Sequence, residues 1–344
     1  MTTSKISTSR LGSTGPTIGR IGLGAMGMSG MYGAADDAES TATIHAALDS
    51  GANLIDTGDF YGAGHNEMLI GKAIAELPRE DVVLSVKFGA LRGPDGSWDG
   101  FDSRPAAVRN SLGYSLRRLG VDYIDIYRPA RLDPNVPIED TIGAIGELIE
   151  AGYVRHIGLS EVGADTIRRA AAVHPIADLQ IEYSLISRGI EAEILPVARE
   201  LGIGITAYGV LSRGLLSDTV RPETTFAAND FRAHSPRFQG ENLTKNLKLV
   251  DALAKIAAQK GASVAQLAIA WVLTRGEDIV PIIGSRSRGR WTETLGALDV
   301  RLSAEDLAVI EAAVPADQIA GDRYATAQMA LLDSERSPRP VSGE

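Results

Sequence analysis

Eight short runs of apolar and β-branched residues recur along the chain, and the segments between them carry apolar positions at helical spacing. The runs are "IGRIGLGAM" (18–26), "ANLIDTG" (52–58), "VVLSVKF" (82–88), "DYIDIYR" (122–128), "VRHIGLS" (154–160), "DLQIEYS" (178–184), "GIGITAY" (202–208) and "DIVPIIG" (278–284). Between them lie stretches such as "PAAVRNSLGYSLRRLG" (105–120) and "PIEDTIGAIGELIEAG" (137–152). Near-continuous apolar strands alternating with amphipathic helices are what a parallel sheet covered by helices requires. Eight such units in 344 residues predict a closed (β/α)8 TIM barrel rather than an open sheet. No linker-like shift in composition interrupts the pattern. One barrel domain over 1–336 is therefore expected, and the end of the polar, Pro-rich "SERSPRPVSGE" is read as a disordered tail at 337–344.

Two stretches break the alternation. "SRLGSTGPTIGRIGLG" (9–24) reads as a β-hairpin ahead of the first strand, placed to cap the lower end of the barrel. The stretch 210–242, after the seventh strand, is far longer than an ordinary strand-to-helix loop, and such loops usually carry function. "GLGAMG" (22–27) matches the spacing G-x-G-x-x-G, which in a dinucleotide-binding βαβ unit leads straight into a helix. Here more glycines follow and the helical pattern starts near Asp37, so these are read as loop glycines.

Composition narrows the picture a little. A net charge of −10 argues against a general affinity for nucleic acid or anionic membrane. The absence of cysteine removes disulfides and thiol chemistry, and the five histidines show no paired ligand spacing, so no metal site is expected. The first residues lack the apolar core of a signal peptide and no run is long enough to span a bilayer, so a soluble, cytoplasmic protein is expected. A single sequence shows no interface, and the oligomeric state stays open.

In a barrel, chemistry gathers at the C-terminal ends of the strands. Those ends hold Asp56 after the second strand, Tyr61 in the following loop and Lys87 in the third strand. A buried ammonium needs a partner, which Asp56 can supply from the neighbouring strand. A phenol ionises near ~10, and an adjacent ammonium would lower that value and make tyrosine a usable acid and base. The same spacing is met by a plain Asp–Lys pair closing the barrel mouth, with Tyr61 as loop packing.

Several separated motifs, in order, resemble the aldo-keto reductase superfamily over nearly the whole chain. They are "NLIDTGDFYGAGHNEMLIGKAI", "SVKFG", "AYGVLSRGLL" and "IIGSRSRGRWTETLGAL", while "DFRAHSPRFQGENL" resembles the branch with the auxin-induced-like reductases. The resemblance implies a barrel that uses NADP(H) to reduce aldehydes and ketones, or to oxidise alcohols in reverse. Asp56, Tyr61 and Lys87 match three of that family's four catalytic positions, with Tyr61 as the general acid that protonates the carbonyl oxygen. The fourth, a histidine after the fourth strand, is Ala130 in "IYRPARLDP", followed by Arg131. Loss of one oxyanion donor costs on the order of 10²-fold in rate. His65 is the nearest imidazole in sequence, in a position that reads as surface loop.

The resemblance also assigns a cofactor site. Ser160, Glu161 and Gln180 match the residues that hydrogen-bond the nicotinamide carboxamide, and Tyr208 matches the ring that stacks on the nicotinamide. Ser212, Arg213, Gly214 and Leu215 match the loop along the pyrophosphate. Gly284, Ser285, Arg286 and Arg290 match the contacts to the adenosine phosphate, and Glu293 the residue that reads the adenine amino group. Thr294 replaces the usual asparagine, and Arg288 is read as a solvated charge. The arginine cluster in an acidic protein favours NADP(H) over NAD(H). Met28, Tyr32, Phe60, Phe88 and Trp98 are candidate apolar walls for the substrate, with core or loop packing as the alternative for each. Three functions follow: a carbonyl reductase, an alcohol dehydrogenase on the same residues, or an NADPH-sensing binding module of the same fold.

Overall fold

The computed structural model describes residues 5–217, 219–227 and 230–336, so the expected tail at 337–344 lies outside the described residues. The chain opens with a hairpin in which β1 (Thr8–Arg10) pairs antiparallel with β2 (Thr17–Gly19). The barrel strands β3 (Gly22–Gly24), β4 (Leu54–Gly58) and β5 (Val83–Phe88) follow. A second hairpin, β6 (Ala90–Arg92) and β7 (Trp98–Phe101), is inserted before β8 (Ile124–Pro129). The ring is completed by β9 (Val154–Ser160), β10 (Ile176–Glu182), β11 (Gly204–Tyr208) and β12 (Ile279–Gly284). These eight parallel strands close in chain order, β12 pairing back onto β3, and each overlaps one of the eight apolar runs.

Helices return the chain between strands: α1 (Asp37–Asp49), α2 (His65–Ile74), α3 (Pro105–Leu119), α4 (Ile138–Glu150), α5 (Ala164–Val173) and α6 (Ile194–Glu200). Both α7 (Gly240–Gln259) and α8 (Val264–Leu273) lie between β11 and β12, and α9 (Arg288–Leu295), α10 (Ala304–Ala313) and α11 (Thr326–Met329) follow the last strand. Their ends obey local rules. Asp36 caps α1 by accepting the Glu39 N–H at 2.7 Å, and Pro105 opens α3, where its missing N–H leaves no intrahelical bond unmade. "GLGAMG" runs from β3 into a short turn at Met26–Ser29 and reaches no helix until Asp37, which accounts for its rejection as a dinucleotide fingerprint.

The lower barrel is filled by Leu11, Ile18, Leu54, Val83, Ile126, Val280 and Ile282. Leu11 and Ile18 come from the N-terminal hairpin, which therefore plugs that end. Gly12 is required there: it has φ +60, and a Cβ would sit 2.6 Å from the Ala177 carbonyl oxygen and the Gly204 nitrogen. The long segment after β11 is built from three short turns, Ser212–Gly214, Phe231–His234 and Pro236–Phe238. Among the described residues no single helix is long and apolar enough to cross a membrane.

Candidate active site

The stretch after β4 is held in place by its own polar residues. Asn66, fully buried, donates to the Ala25 carbonyl at 2.9 Å and the Ser29 hydroxyl at 2.8 Å, and accepts from the Thr57 hydroxyl at 2.7 Å. Glu67 binds Arg118 at 2.5 Å, tying α2 to α3. Between these anchors and the strand, Gly62, Ala63 and Gly64 all take positive φ, so the turn that carries Tyr61 is tightly constrained. Glu161, Ser212 and Arg213 are the other non-glycine residues with positive φ among the described residues. Each of them also follows the C-terminal end of a strand.

Asp56 and Lys87 sit side by side in the buried barrel interior. Asp56 accepts from the Lys87 ammonium at 2.6 Å, the Ser85 hydroxyl at 2.9 Å and the Gln180 amide at 2.7 Å. The Lys87 ammonium lies 5.1 Å from the centre of the Tyr61 ring. Burial, opposed by Asp56 and reinforced by Arg128 and Arg131, lowers the Lys87 pKa. The Tyr61 phenol moves the other way. Burial chiefly, then the Asp56 charge, pushes it well above its ordinary value, which corrects the expectation that Lys87 would lower it. The ammonium is engaged by Asp56, and the cation that pulls the phenol down is Arg131. The phenol therefore keeps its proton across the neutral range.

Beneath this layer a second ion pair crosses the barrel. Arg128 meets Asp178 at 3.0 Å with both side chains fully buried, and donates to Thr206 at 3.2 Å and Ser85 at 2.9 Å. Gly158 makes room for the pair: a Cβ there would lie 2.6 Å from Asp178 Oδ1 and 3.0 Å from Arg128 Nε.

At the mouth, Glu161 and Glu182 are buried among arginines. Arg323 spans both, reaching Glu161 at 2.8 Å and Glu182 at 3.2 Å, and Glu182 also pairs with Arg213 at 3.1 Å and Arg237 at 3.4 Å. The arginines hold both carboxyls below the ordinary range against the opposing effect of burial. Glu161 further accepts from the Glu182 N–H, the Tyr208 hydroxyl and the Ser334 hydroxyl. Its carboxylate is thus fully engaged by the protein, and the expected contact to a carboxamide finds no free lone pair. Tyr208 is fixed by Glu161 at 2.7 Å and by the Tyr324 hydroxyl at 2.8 Å.

One cavity of about 680 Å³ joins these groups. Asp56, Tyr61, Lys87, Ala130, Arg131, Gln180 and Tyr208 line one part of it. Arg213, Gly214, Gly284, Ser285, Arg286, Arg290, Glu293 and Thr294 line the rest. Tyr32, Phe60 and Trp98 also reach the wall, as expected, and Phe60 packs edge-on against both Tyr61 and Trp98. Met28 and Phe88 do not. Met28 is a core residue, and Phe88 is fully buried and stacked on Tyr127 at 4.3 Å, because odd and even positions of β5 face opposite sides of the barrel wall. Ser160, Glu161, Ser212 and Leu215 lie behind the wall rather than on it.

The polar groups fit a phosphate-bearing cofactor. Ser212 Oγ and Arg213 Nη1 are buried without a partner, and nothing lies within 4 Å of a Cβ built at Gly284. Arg286 is parked on the carbonyls of Tyr32 and Ala34, at 2.9 and 3.0 Å, while Ser285 bonds the Ser287 carbonyl. Arg290 pairs with Glu293 at 2.8 Å, and Arg288 pairs on the surface with Glu39. His65 bonds Ser29 and Asp37 outside the cavity. Arg323, Tyr324, Gln328 and Leu331 were not legible in the sequence: they come from the irregular stretch after α10 and the single turn of α11, which carry no pattern that marks them. Ser334 and Glu335, read as part of a polar tail, are built into the same cluster.

The sequence profile of the Aldo/keto reductase family matches residues 20–315. A probable aldo-keto reductase of Glycine max is 44% identical over 327 residues, covering 94% of this chain and 93% of that protein. A glycerol dehydrogenase structure from Gluconobacter oxydans superposes with a TM-score of 0.80 at 30% identity, over 99% of this chain and 100% of that one. An aldo-keto reductase from Bacillus halodurans, in its holo form, gives 0.75 at 26% identity, over 90% of this chain and 97% of that one.

Two stability predictions come from this geometry. Arg323→Met leaves Glu161 buried without a cation in pairing distance, and should lower unfolding free energy by about 3–5 kcal/mol, as for breaking a buried pair, in urea titration. Asp59, beside Tyr61, has a buried Oδ1 with no partner, and burial pushes its pKa up to about 7. A carboxyl whose folded pKa exceeds its unfolded value of ~3.9 favours the fold at low pH and loses that advantage as pH rises through the folded pKa. Asp59→Asn should therefore gain more stability at pH 8 than at pH 5, read from the two urea midpoints.

Proposed function

The chain belongs to the aldo/keto reductase family, and from that premise we propose that it is an NADP(H)-dependent reductase of aldehydes or ketones with Tyr61 as general acid. Family membership makes it an oxidoreductase acting between carbonyl and alcohol; the cofactor and the acid are the finer reading. The observation that carries it is the continuous cavity with Tyr61, Asp56 and Lys87 in one part and Arg286 and Arg290 in another. A nicotinamide cofactor, when bound, supplies the hydride. The residues of this chain do the rest.

Tyr61, kept protonated by burial, donates its proton to the carbonyl oxygen as negative charge develops there. Asp56, at 2.6 Å, holds Lys87 in place beside the Tyr61 ring, and Arg131 is the cation that favours the tyrosinate left behind. Gln180 is oriented by the same carboxylate, which supports its assignment at the carboxamide. Tyr208 offers a ring whose position is set by Glu161, so Glu161 serves by orienting its neighbour. Ser160 is buried at the end of β9 and faces the same region through Arg131. Of the Ser212–Leu215 turn, Arg213 and Gly214 line the cavity, and the unpartnered Arg213 Nη1 is offered to the pyrophosphate. Ser285, Arg286 and Arg290 take the adenosine phosphate, and Glu293 the adenine. Charge-assisted bonds to a phosphate are roughly twice as strong as neutral ones, so Arg286 would exchange its carbonyl partners for the ligand. A small carbonyl or alcohol partner and a soluble, cytoplasmic setting belong to the same proposal.

Alcohol oxidation on the same residues is the second reading, favoured by the glycerol dehydrogenase named for the similar structure. The direction of net turnover decides between the two.

Two measurements test the reading. Tyr61→Phe should reduce NADPH-dependent aldehyde turnover by at least ~10²-fold while leaving NADPH binding intact by fluorescence. Turnover that survives the substitution would remove Tyr61 from the mechanism. Arg286→Ala should weaken NADPH binding about tenfold or more and leave NADH binding nearly unchanged; an equal loss for both would reject 2′-phosphate recognition.

A further inference from the structure

Arg131 is the one arginine at the inner end of the cavity that the chain leaves without a carboxylate. Its strongest bond is to the carbonyl of its own neighbour, Ala130, at 2.6 Å. The other contacts, to the Ser160 and Tyr324 hydroxyls, are both 3.5 Å and weak. Apart from Asp133, the buried carboxylates around Arg131 each have a cation already. Asp56 holds Lys87, Asp178 holds Arg128, Glu161 holds Arg323, and Glu182 is shared by Arg213, Arg237 and Arg323. Asp133, two residues along, accepts the N–H groups of Ser103 and Asn135 instead. Among the described residues, no acid lies within ion-pair distance of Arg131.

A guanidinium withdrawn from bulk water is normally paired, because leaving its charge uncompensated is costly. This one lines the same cavity as Tyr61 and Ala130, with the Tyr324 hydroxyl 3.5 Å from it. We propose that Arg131, assisted by Tyr324, is a carboxylate anchor, so that the substrate is a carbonyl compound carrying a carboxylate: an oxo acid, or a hydroxy acid in reverse. The inference rests on the reductase reading and narrows its substrate class. The planar fork of arginine matches a carboxylate in a bidentate way, and Phe60, Trp98 and Tyr32 supply apolar wall for the remainder of the molecule. Arg131 is also the cation that lowers the Tyr61 phenol, so an anion seated on it would act next to the acid.

The test pairs binding with turnover. By calorimetry on the protein with NADP⁺ present, benzoate should bind at least about tenfold more tightly than benzamide, and Arg131→Gln should abolish that difference while Arg131→Lys retains part of it. In turnover, at least one of the three carboxybenzaldehyde isomers should exceed its methyl ester by ~10² in kcat/KM, mainly through KM, and Arg131→Gln should bring it down to the ester. A thermal unfolding midpoint for each variant separates loss of the site from loss of the fold. Equal binding of benzoate and benzamide would overturn the anchor. So would a fall in kcat that is the same for charged and neutral aldehydes, which would move Arg131 to the carbonyl oxygen. Arg131-dependent benzoate binding without turnover of any aldehyde would sustain the anchor and reject the reductase reading, so the two fail separately.

Discussion

The Asp56 carboxylate is the point on which the site depends. It is buried inside the barrel and accepts from groups on two other strands: Lys87 and Ser85 on β5, and Gln180 on β10 across the barrel interior. A buried ammonium without this partner would shed its proton or its position. With it, Lys87 is fixed below the Tyr61 ring, and the Gln180 amide is held toward the cavity by the same oxygen that Ser85 uses. Ser85 passes the constraint downward to Arg128, and Arg128 to Asp178 and Thr206. One polar chain thus links five strands. The hydrophobic plug beneath it, with Leu11 and Ile18 from the hairpin, keeps water from the other end.

Period-two alternation along the strands explains why this chain exists and why part of it was readable. In β4 the inward positions are Leu54 and Asp56, in β5 Val83, Ser85 and Lys87, and in β8 Ile126 and Arg128. Each strand changes from apolar to polar as it climbs from the plugged end to the open one. The apolar runs therefore identified the strands, and the first charged residue near each strand end identified the mouth. Asp56 with Lys87 was legible on that basis alone. Phe88 was misplaced because it follows Lys87 by one residue and so points outward onto Tyr127.

The remaining parts of the site were hidden for a different reason. Arg323 and Tyr324 lie in an irregular segment after α10, with no periodicity to mark them, and they reach the mouth only through the closed tertiary path of the chain. Glu161, assigned to the carboxamide by resemblance, lies just past the end of β9 among arginine and hydroxyl partners from distant parts of the chain. The β6–β7 hairpin that carries Trp98 shows no strand pattern in a sequence rich in glycine and aspartate. Local signals describe backbone preference. They do not report which distant side chain will complete a buried pair.

An arginine at the mouth, Arg131 beside Ala130, acts differently from an imidazole placed there. A histidine titrates near ~6.5 and would give the mouth a charge that varies across neutral pH. Arginine stays protonated throughout, so Arg131 imposes a constant positive potential on Lys87 and Tyr61, and Arg128 on Lys87. Both arginines press the Lys87 pKa down while Asp56 holds it up, and burial keeps the Tyr61 proton in place. The effect of such fixed charges on neighbouring groups depends on distance and on what the cavity holds, and not on pH across the neutral range.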